Sequence, residues 1–145
     1  DRCTKYVMLC QERDGGFRYQ VTGGPSQFAR SAAGVVALYC AGIYKGPEVD
    51  RGLDYLMKFL PGKAVRAEEH QHYYYGHYYA AQAMWTAGGK FWTEWYPAIR
   101  DQLVNHGDRL SNGGWIDHRF SNDYATAMAC IILQIPNNYL PILQK

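Results

Sequence analysis

The sequence predicts an all-α fold made of two kinds of helix in alternation, and three observations carry that prediction. Residues 31–44, 71–89 and 124–144 contain no Asp, Glu, Lys or Arg, and each holds a stretch that is apolar or aromatic around most of a helix. Such a helix is buried on all sides rather than resting one face on a core. Between these stretches lie others with apolar residues on one face only. The uncharged stretches begin near Phe28, Tyr75 and Asp123, which are 47 and 48 residues apart, and a near-constant offset marks a repeat architecture.

Taken in order, residues 1–11 read as the tail of an outer helix, with Tyr6, Val7 and Cys10 on one face and Cys3 a turn earlier. The first inner helix follows in SAAGVVALYCAGIY. Residues 47–60 then place Val49, Leu53, Leu56, Met57 and Leu60 at helical spacing, with Glu48, Asp50, Arg51, Asp54 and Lys58 between them. Pro47 suits a first helical turn and Pro61-Gly62 a terminus. The second inner helix is the tyrosine-rich YYYGHYYAAQAMW. Residues 91–105 repeat the outer rhythm with Trp92, Trp95, Tyr96, Ile99 and Leu103, and Pro97 among them predicts a kink or a later start. The third inner helix is YATAMACIILQI. One-faced and all-round apolar helices in alternation make two layers, because each inner helix is covered by its partner and by the interior. Burying each large inner side chain contributes about 1.5–3 kcal/mol. Gly34, Gly42 and Gly76 within inner helices each cost about 1 kcal/mol against Ala, which close helix approach would offset.

A chain of 145 residues with 48% hydrophobic content buries a core and is not disordered. The formal charge of +2 comes without a Lys/Arg stripe, which excludes nucleic acid as a partner. No run is apolar enough to span a membrane. Cys3, Cys10, Cys40 and Cys130 lack metal or redox spacing and read as buried small hydrophobes. The compartment stays open.

Two of the three units share a further element. Gln11-Glu12-Arg13-Asp14-Gly15-Gly16-Phe17 ends the first outer helix, and Asn112-Gly113-Gly114-Trp115 occupies the matching place in the last unit. Paired glycines permit a tight turn with positive φ, and the aromatic after them can fold back as a plug between helices. The middle unit has Gly62-Lys63-Ala64 there instead. A terminal Gln, then Asp/Asn-Gly-Gly and an aromatic, resembles the glutamine–tryptophan repeat of squalene cyclases and protein prenyltransferases. The resemblance covers nearly the whole chain and implies an α/α-toroid, of which residues 1–145 form a single domain of about three inner/outer helix pairs. That family closes its ring with five to seven pairs. The resemblance therefore implies a domain incomplete at its N-terminus, completed by an N-terminal half or by self-association. The ending from Ile135 to Pro141 reads as a terminal cap.

What the resemblance implies for chemistry is limited by particular residues. Hopene-type cyclases place a proton-donating Asp in D-x-D-D-T-A at the head of an inner helix. Anchored on Thr126-Ala127, the acidic positions fall here on Asn122, Tyr124 and Ala125, with the donor at Tyr124. A phenol with a pKa near 10 is too weak to protonate an alkene. Asp123 reads as a helix N-cap or first-turn residue. Prenyltransferases hold zinc through Asp-x-Cys and a His, and Asp123-Tyr124-Ala125 lacks the Cys. No metal or cofactor is expected, and no catalytic residue is assigned. His70, His72, His77, His106 and His118 meet no ligand spacing, and Asp108, Asp117 and Asp123 form no evident acid–base pair.

The feature that remains is aromatic. Tyr74, Tyr75, Tyr78, Tyr79 and Trp85 lie on one inner helix, where Tyr75, Tyr78, Tyr79 and Gln82 share faces. So many hydroxyls would each need a partner if buried dry, which a central cavity supplies more easily. In the cyclases such rings stabilise cations through their faces. The expected pocket residues are Tyr75, His77, Tyr78, Trp85 and Tyr124, with Asp123 at the rim, around an isoprenoid or other apolar small molecule. The alternative is a non-catalytic repeat scaffold for protein contacts.

Overall fold

The computed structural model describes residues 2–62, 72–106 and 108–137. His70, the middle-unit position at Lys63-Ala64 and the ending beyond Asn137 lie outside the described residues. Among the described residues six α-helices run in the order α1 (Arg2–Leu9), α2 (Phe28–Cys40), α3 (Pro47–Met57), α4 (Tyr73–Ala87), α5 (Gly89–Asp101) and α6 (Asn122–Gln134). A π-helical turn, Gln102–His106, ends α5, and a 3₁₀ turn, Ile135–Asn137, follows α6. Among the described residues there is no β-strand, only isolated bridges such as Gln11 to Phe17 and Arg109 to Trp115.

Helix ends follow local chemistry. Gly42, at φ 83°, terminates α2, with Ile43 N–H on Leu38 O at 2.9 Å and Gly42 N–H on Tyr39 O at 2.9 Å. These two bonds form the Schellman closure that a left-handed glycine permits. Gly42 is thus a terminator rather than an interior residue of the helix. Pro47 opens α3 with Glu48 and Asp50 in its first turn, where the helix dipole favours carboxylates. Pro97 sits inside α5, which starts earlier than the sequence suggested, at Gly89. Ser121 caps α6, its Oγ accepting the Tyr124 N–H at 3.1 Å, and Asp123 is a first-turn residue beside it.

The packing is two-layered. Helices α2, α4 and α6 touch in sequence, while α1 and α3 lie against α2, and α5 lies against α4. The core fills the gap between the layers. Phe28 is its centre, 4.9 Å from the Phe59 ring, 4.9 Å from the His77 ring and 6.3 Å from the Trp95 ring. Gly76 lets α4 approach α2 there, since a Cβ would lie 2.5 Å from Phe28. His77 is buried at 1% exposure between Phe28, Tyr73 and Trp95. Burial pushes its pKa down to about 3. Helix α6 departs from all-round burial: Ala125, Ala129 and Ile132 are covered, while Asp123, Ala127, Cys130 and Gln134 form an open stripe. Of the cysteines Cys10 alone is buried, and Cys3, Cys40 and Cys130 are exposed, because they lie on faces that no neighbouring helix covers.

The glycine–aromatic turns repeat almost atom for atom. Gly16 N–H donates to Asp14 Oδ1 at 2.9 Å, and Gly114 N–H to Asn112 Oδ1 at 3.1 Å. Phe17 N–H donates to Ser31 Oγ on α2 at 2.7 Å, and Trp115 N–H to Thr126 Oγ1 on α6 at 3.0 Å. The positive φ belongs to the first glycine of each pair, 92° at Gly15 and 88° at Gly113. The second is needed for space: a Cβ on Gly16 would lie 2.6 Å from Tyr55, and one on Gly114 2.9 Å from Thr126. Phe17 then seats on Gly34, whose added Cβ would lie 2.7 Å from the ring. Gln11 Nε2 ties the first turn to the next outer helix, donating to Gly15 O at 2.9 Å and Glu48 O at 2.8 Å. Arg109 stands at the matching position of the last unit, with its guanidinium 3.7 Å from the centre of the Trp115 ring.

Gly113→Ala meets open space and is expected to lose about 1–2 kcal/mol, the cost of left-handed backbone for an L-residue. Gly15→Ala adds a collision with the Arg51 carbonyl and is expected to lose more than about 4 kcal/mol, both read by urea unfolding. The His77 pKa is lower folded than unfolded, so the unfolded state takes up the proton first as pH falls. Its contribution is complete above about pH 6.5 and erodes towards about pH 3, by up to about 1.4 kcal/mol per pH unit. His77→Gln should flatten that slope between about pH 6.5 and 4.5; an unchanged slope would assign the acid sensitivity elsewhere.

Candidate functional site

The tyrosine-rich helix meets its neighbours on two sides and leaves a third partly open. Tyr75 is 40% exposed, and Tyr78 and Tyr79 are half-buried beside it. Their rings pack edge to face, Tyr75 to Tyr79 at 4.8 Å and Tyr78 to Tyr79 at 4.9 Å. Beneath them Gln82 is buried, with Nε2 donating to Tyr78 O at 3.3 Å. Tyr124 on α6 continues this surface, 6.5 Å from the Tyr74 ring and 5.6 Å from Phe120. Phe120 in turn lies 5.7 Å from His72. The Tyr79 pKa is raised by burial, then by the charge and hydrogen bond of Tyr75 and by nearby Cys40. Tyr124 is raised by burial, then by Asp117 and Tyr79. Both phenols therefore stay protonated through the neutral range and present rings rather than charges.

The expected pocket set divides. Tyr75, Tyr78 and Tyr124 belong to the half-open face, and Asp123 is exposed at the head of α6. His77 does not belong to it, because it lies in the interlayer core on the opposite side of α4. Trp85 leaves it too: its ring packs edge to face on Trp92 of α5 at 4.9 Å, and Trp92 stacks on Tyr96 at 4.7 Å. Tyr96 extends this second aromatic group to α6 by donating to Leu133 O at 3.1 Å. At 100° per residue Trp85 lies two turns along the same side of α4 as Tyr78, and it is the ring contact with Trp92 that engages it with the outer layer. Tyr79, with Cys40 beside it, joins the face that Tyr75 opens.

A separate cavity of about 290 Å³ lies at the N-terminal end of α4. Tyr73, Tyr74, Leu103 and Ile116 supply its apolar side. Gln102 and His106 come from the π-helical turn, and Asp108, Asp117, His118 and Arg119 from the loop around the second glycine–aromatic turn. Trp115 fixes that loop, its Nε1 donating to Leu103 O at 3.0 Å. Tyr74 Oη donates to Ile116 O at 3.2 Å, and its pKa is pushed up to about 12 by burial, then by Asp117 and Asp108, with Arg109 opposing. The sequence offered these carboxylates only as scattered residues. The signal that joins them is the return of the chain through Trp115, which brings Asp108 and Asp117 to one wall. Among the described residues no three His, Cys, Asp or Glu side chains are placed to hold a metal ion, and no helix is long and apolar enough to cross a membrane. Set against protein-family models, curated proteins and solved structures, the chain matches none.

Proposed function

We propose that this chain is a segment of an α/α-toroid of the squalene cyclase and prenyltransferase kind, and that its tyrosine face forms part of the wall of a central cavity for a long apolar ligand of isoprenoid class. The observation that carries the reading is the half-open cluster of Tyr75, Tyr78, Tyr79 and Tyr124 on the inner layer. Ring faces and edges of neutral phenols suit a hydrocarbon chain, which gains from area removed from water and asks for few hydrogen bonds. The paired glycine–aromatic turns support the same reading, because each clamps an outer helix to an inner one through equivalent bonds. The order of inner and outer helices is the order such a ring requires.

The site is suited to binding rather than to acid catalysis. At the position where a cyclase carries its acid stands Tyr124, a phenol whose pKa is raised rather than lowered. Ala125 beside it is fully buried and offers no acid. This favours, as the second reading, a repeat scaffold that has kept the layered shape for protein contacts.

A titration separates the two. Farnesol added to the full-length natural protein is expected to quench intrinsic fluorescence saturably. Combining Tyr75→Ala with Tyr79→Ala should weaken binding about ten-fold, the scale of losing about 1.4 kcal/mol of ring contact, while the paired Phe substitutions should leave it intact. A flat titration would leave the scaffold reading standing.

A further inference from the structure

The cavity beside Tyr74 plays no part in the isoprenoid reading, and its chemistry differs from that of the tyrosine face. Its inner wall is apolar: Leu103 is 1% exposed, Tyr74 is buried, and Tyr73 and Ile116 are half-buried. Its rim carries two carboxylates. Asp117 Oδ1 is engaged, accepting the Arg119 N–H at 2.7 Å and the Phe120 N–H at 3.0 Å, which leaves Oδ2 outside those bonds. The Asp108 side chain is exposed and makes no hydrogen bond or ion pair among the described residues, while its backbone carbonyl is held by Ile116 N–H at 3.0 Å. One cation of the rim, Arg119, turns outward over Phe120, its guanidinium 5.7 Å from that ring. The other nearby guanidinium, Arg109, is engaged above Trp115. Asp117 and Asp108 both lie near enough to act on the Tyr74 hydroxyl, while the two neighbouring guanidinium groups are held over Trp115 and Phe120.

We propose that this cavity binds a small organic cation, with a primary ammonium between the Asp108 and Asp117 carboxylates and a short apolar body against Leu103, Tyr73 and Tyr74. A volume of about 290 Å³ suits a molecule of that size and little more. Carboxylates supply the hydrogen-bond acceptors that an ammonium needs, and tyrosine rings add attraction for a cation near their faces. The π-helical turn presents Gln102, Leu103 and His106 to the same space, a backbone form that is rare and recurs at functional sites.

Phenethylamine, 2-phenylethanol and phenylacetate share one body and differ in charge, so calorimetric titration with the three reads the sign of the site. Phenethylamine is expected to bind saturably and the other two at least ten-fold more weakly. Asp108→Asn, at a side chain with no hydrogen bond or ion pair among the described residues, should weaken phenethylamine about ten-fold, with far-UV circular dichroism unchanged. Phenylacetate binding that Arg119→Met abolishes would overturn the proposal and make the site anionic in preference. Amine binding unaltered by Asp108→Asn, or no binding by any of the three, would overturn it as well. Farnesol binding is read through Tyr75 and Tyr79, which do not line this cavity, so failure here leaves that reading untouched.

Discussion

An outer helix has to hand the chain to an inner one without leaving its last carbonyls and the next helix's first amides without partners. After α1 and again after α5 the chain makes that crossing with one device, whose bonds satisfy the amides of the turn itself. A left-handed glycine reverses direction, a short Asp or Asn side chain takes the next amide, and the following aromatic residue donates its own N–H to a hydroxyl in the inner helix. The ring of that residue then occupies the gap between layers. Phe17 fits because Gly34 has no Cβ to obstruct it. Trp115 fits because its indole N–H reaches Leu103 O. The interlayer packing rests on these two plugs. The remaining outer-layer contacts, with Val49, Leu53 and Leu56 on one side and Trp95, Ile99 and Leu103 on the other, are ordinary apolar burial.

The polar part of each turn accounts for the residues that differ. Gln11 reaches both its own turn and the start of α3, so it links successive outer helices. Arg109 holds that place in the last unit and spends its charge on Trp115. A guanidinium can lie flat on an indole where a primary amide cannot do so with equal gain. The same loop carries Asp108 and Asp117 to the end of α4. A structural turn thereby becomes one wall of a cavity, with the π-helical turn of α5 as another.

The two aromatic surfaces of α4 have different physical characters. Tyr75, Tyr78 and Tyr79 pack mainly on one another and remain partly accessible. His77 and Trp85 face the outer layer, His77 fully buried and Trp85 against the Trp92–Tyr96 pair. A buried imidazole with a pKa near 3 is neutral under ordinary conditions and serves as a flat core side chain. His77 lies in the core rather than beside the tyrosines, and the Trp85 ring is engaged by Trp92.

The helical character of the chain was legible from the sequence, since burial on one side imposes helical period. Burial on all sides was not borne out: uncharged α4 and α6 leave Tyr75 and the stripe from Asp123 to Gln134 open. The glycine–aromatic turns were legible too, because few residues other than glycine tolerate a φ near 90°. Which aromatic faced which neighbour was not legible in YYYGHYYAAQAMW. When nearly every position is apolar or aromatic, the pattern carries no direction, and only the contacts with Phe28, Trp92 and Tyr124 assign one. The meeting of Asp108, Asp117 and Tyr74 was likewise decided in three dimensions. Residues more than thirty apart along the chain come together only because Trp115 pins the intervening loop against α5.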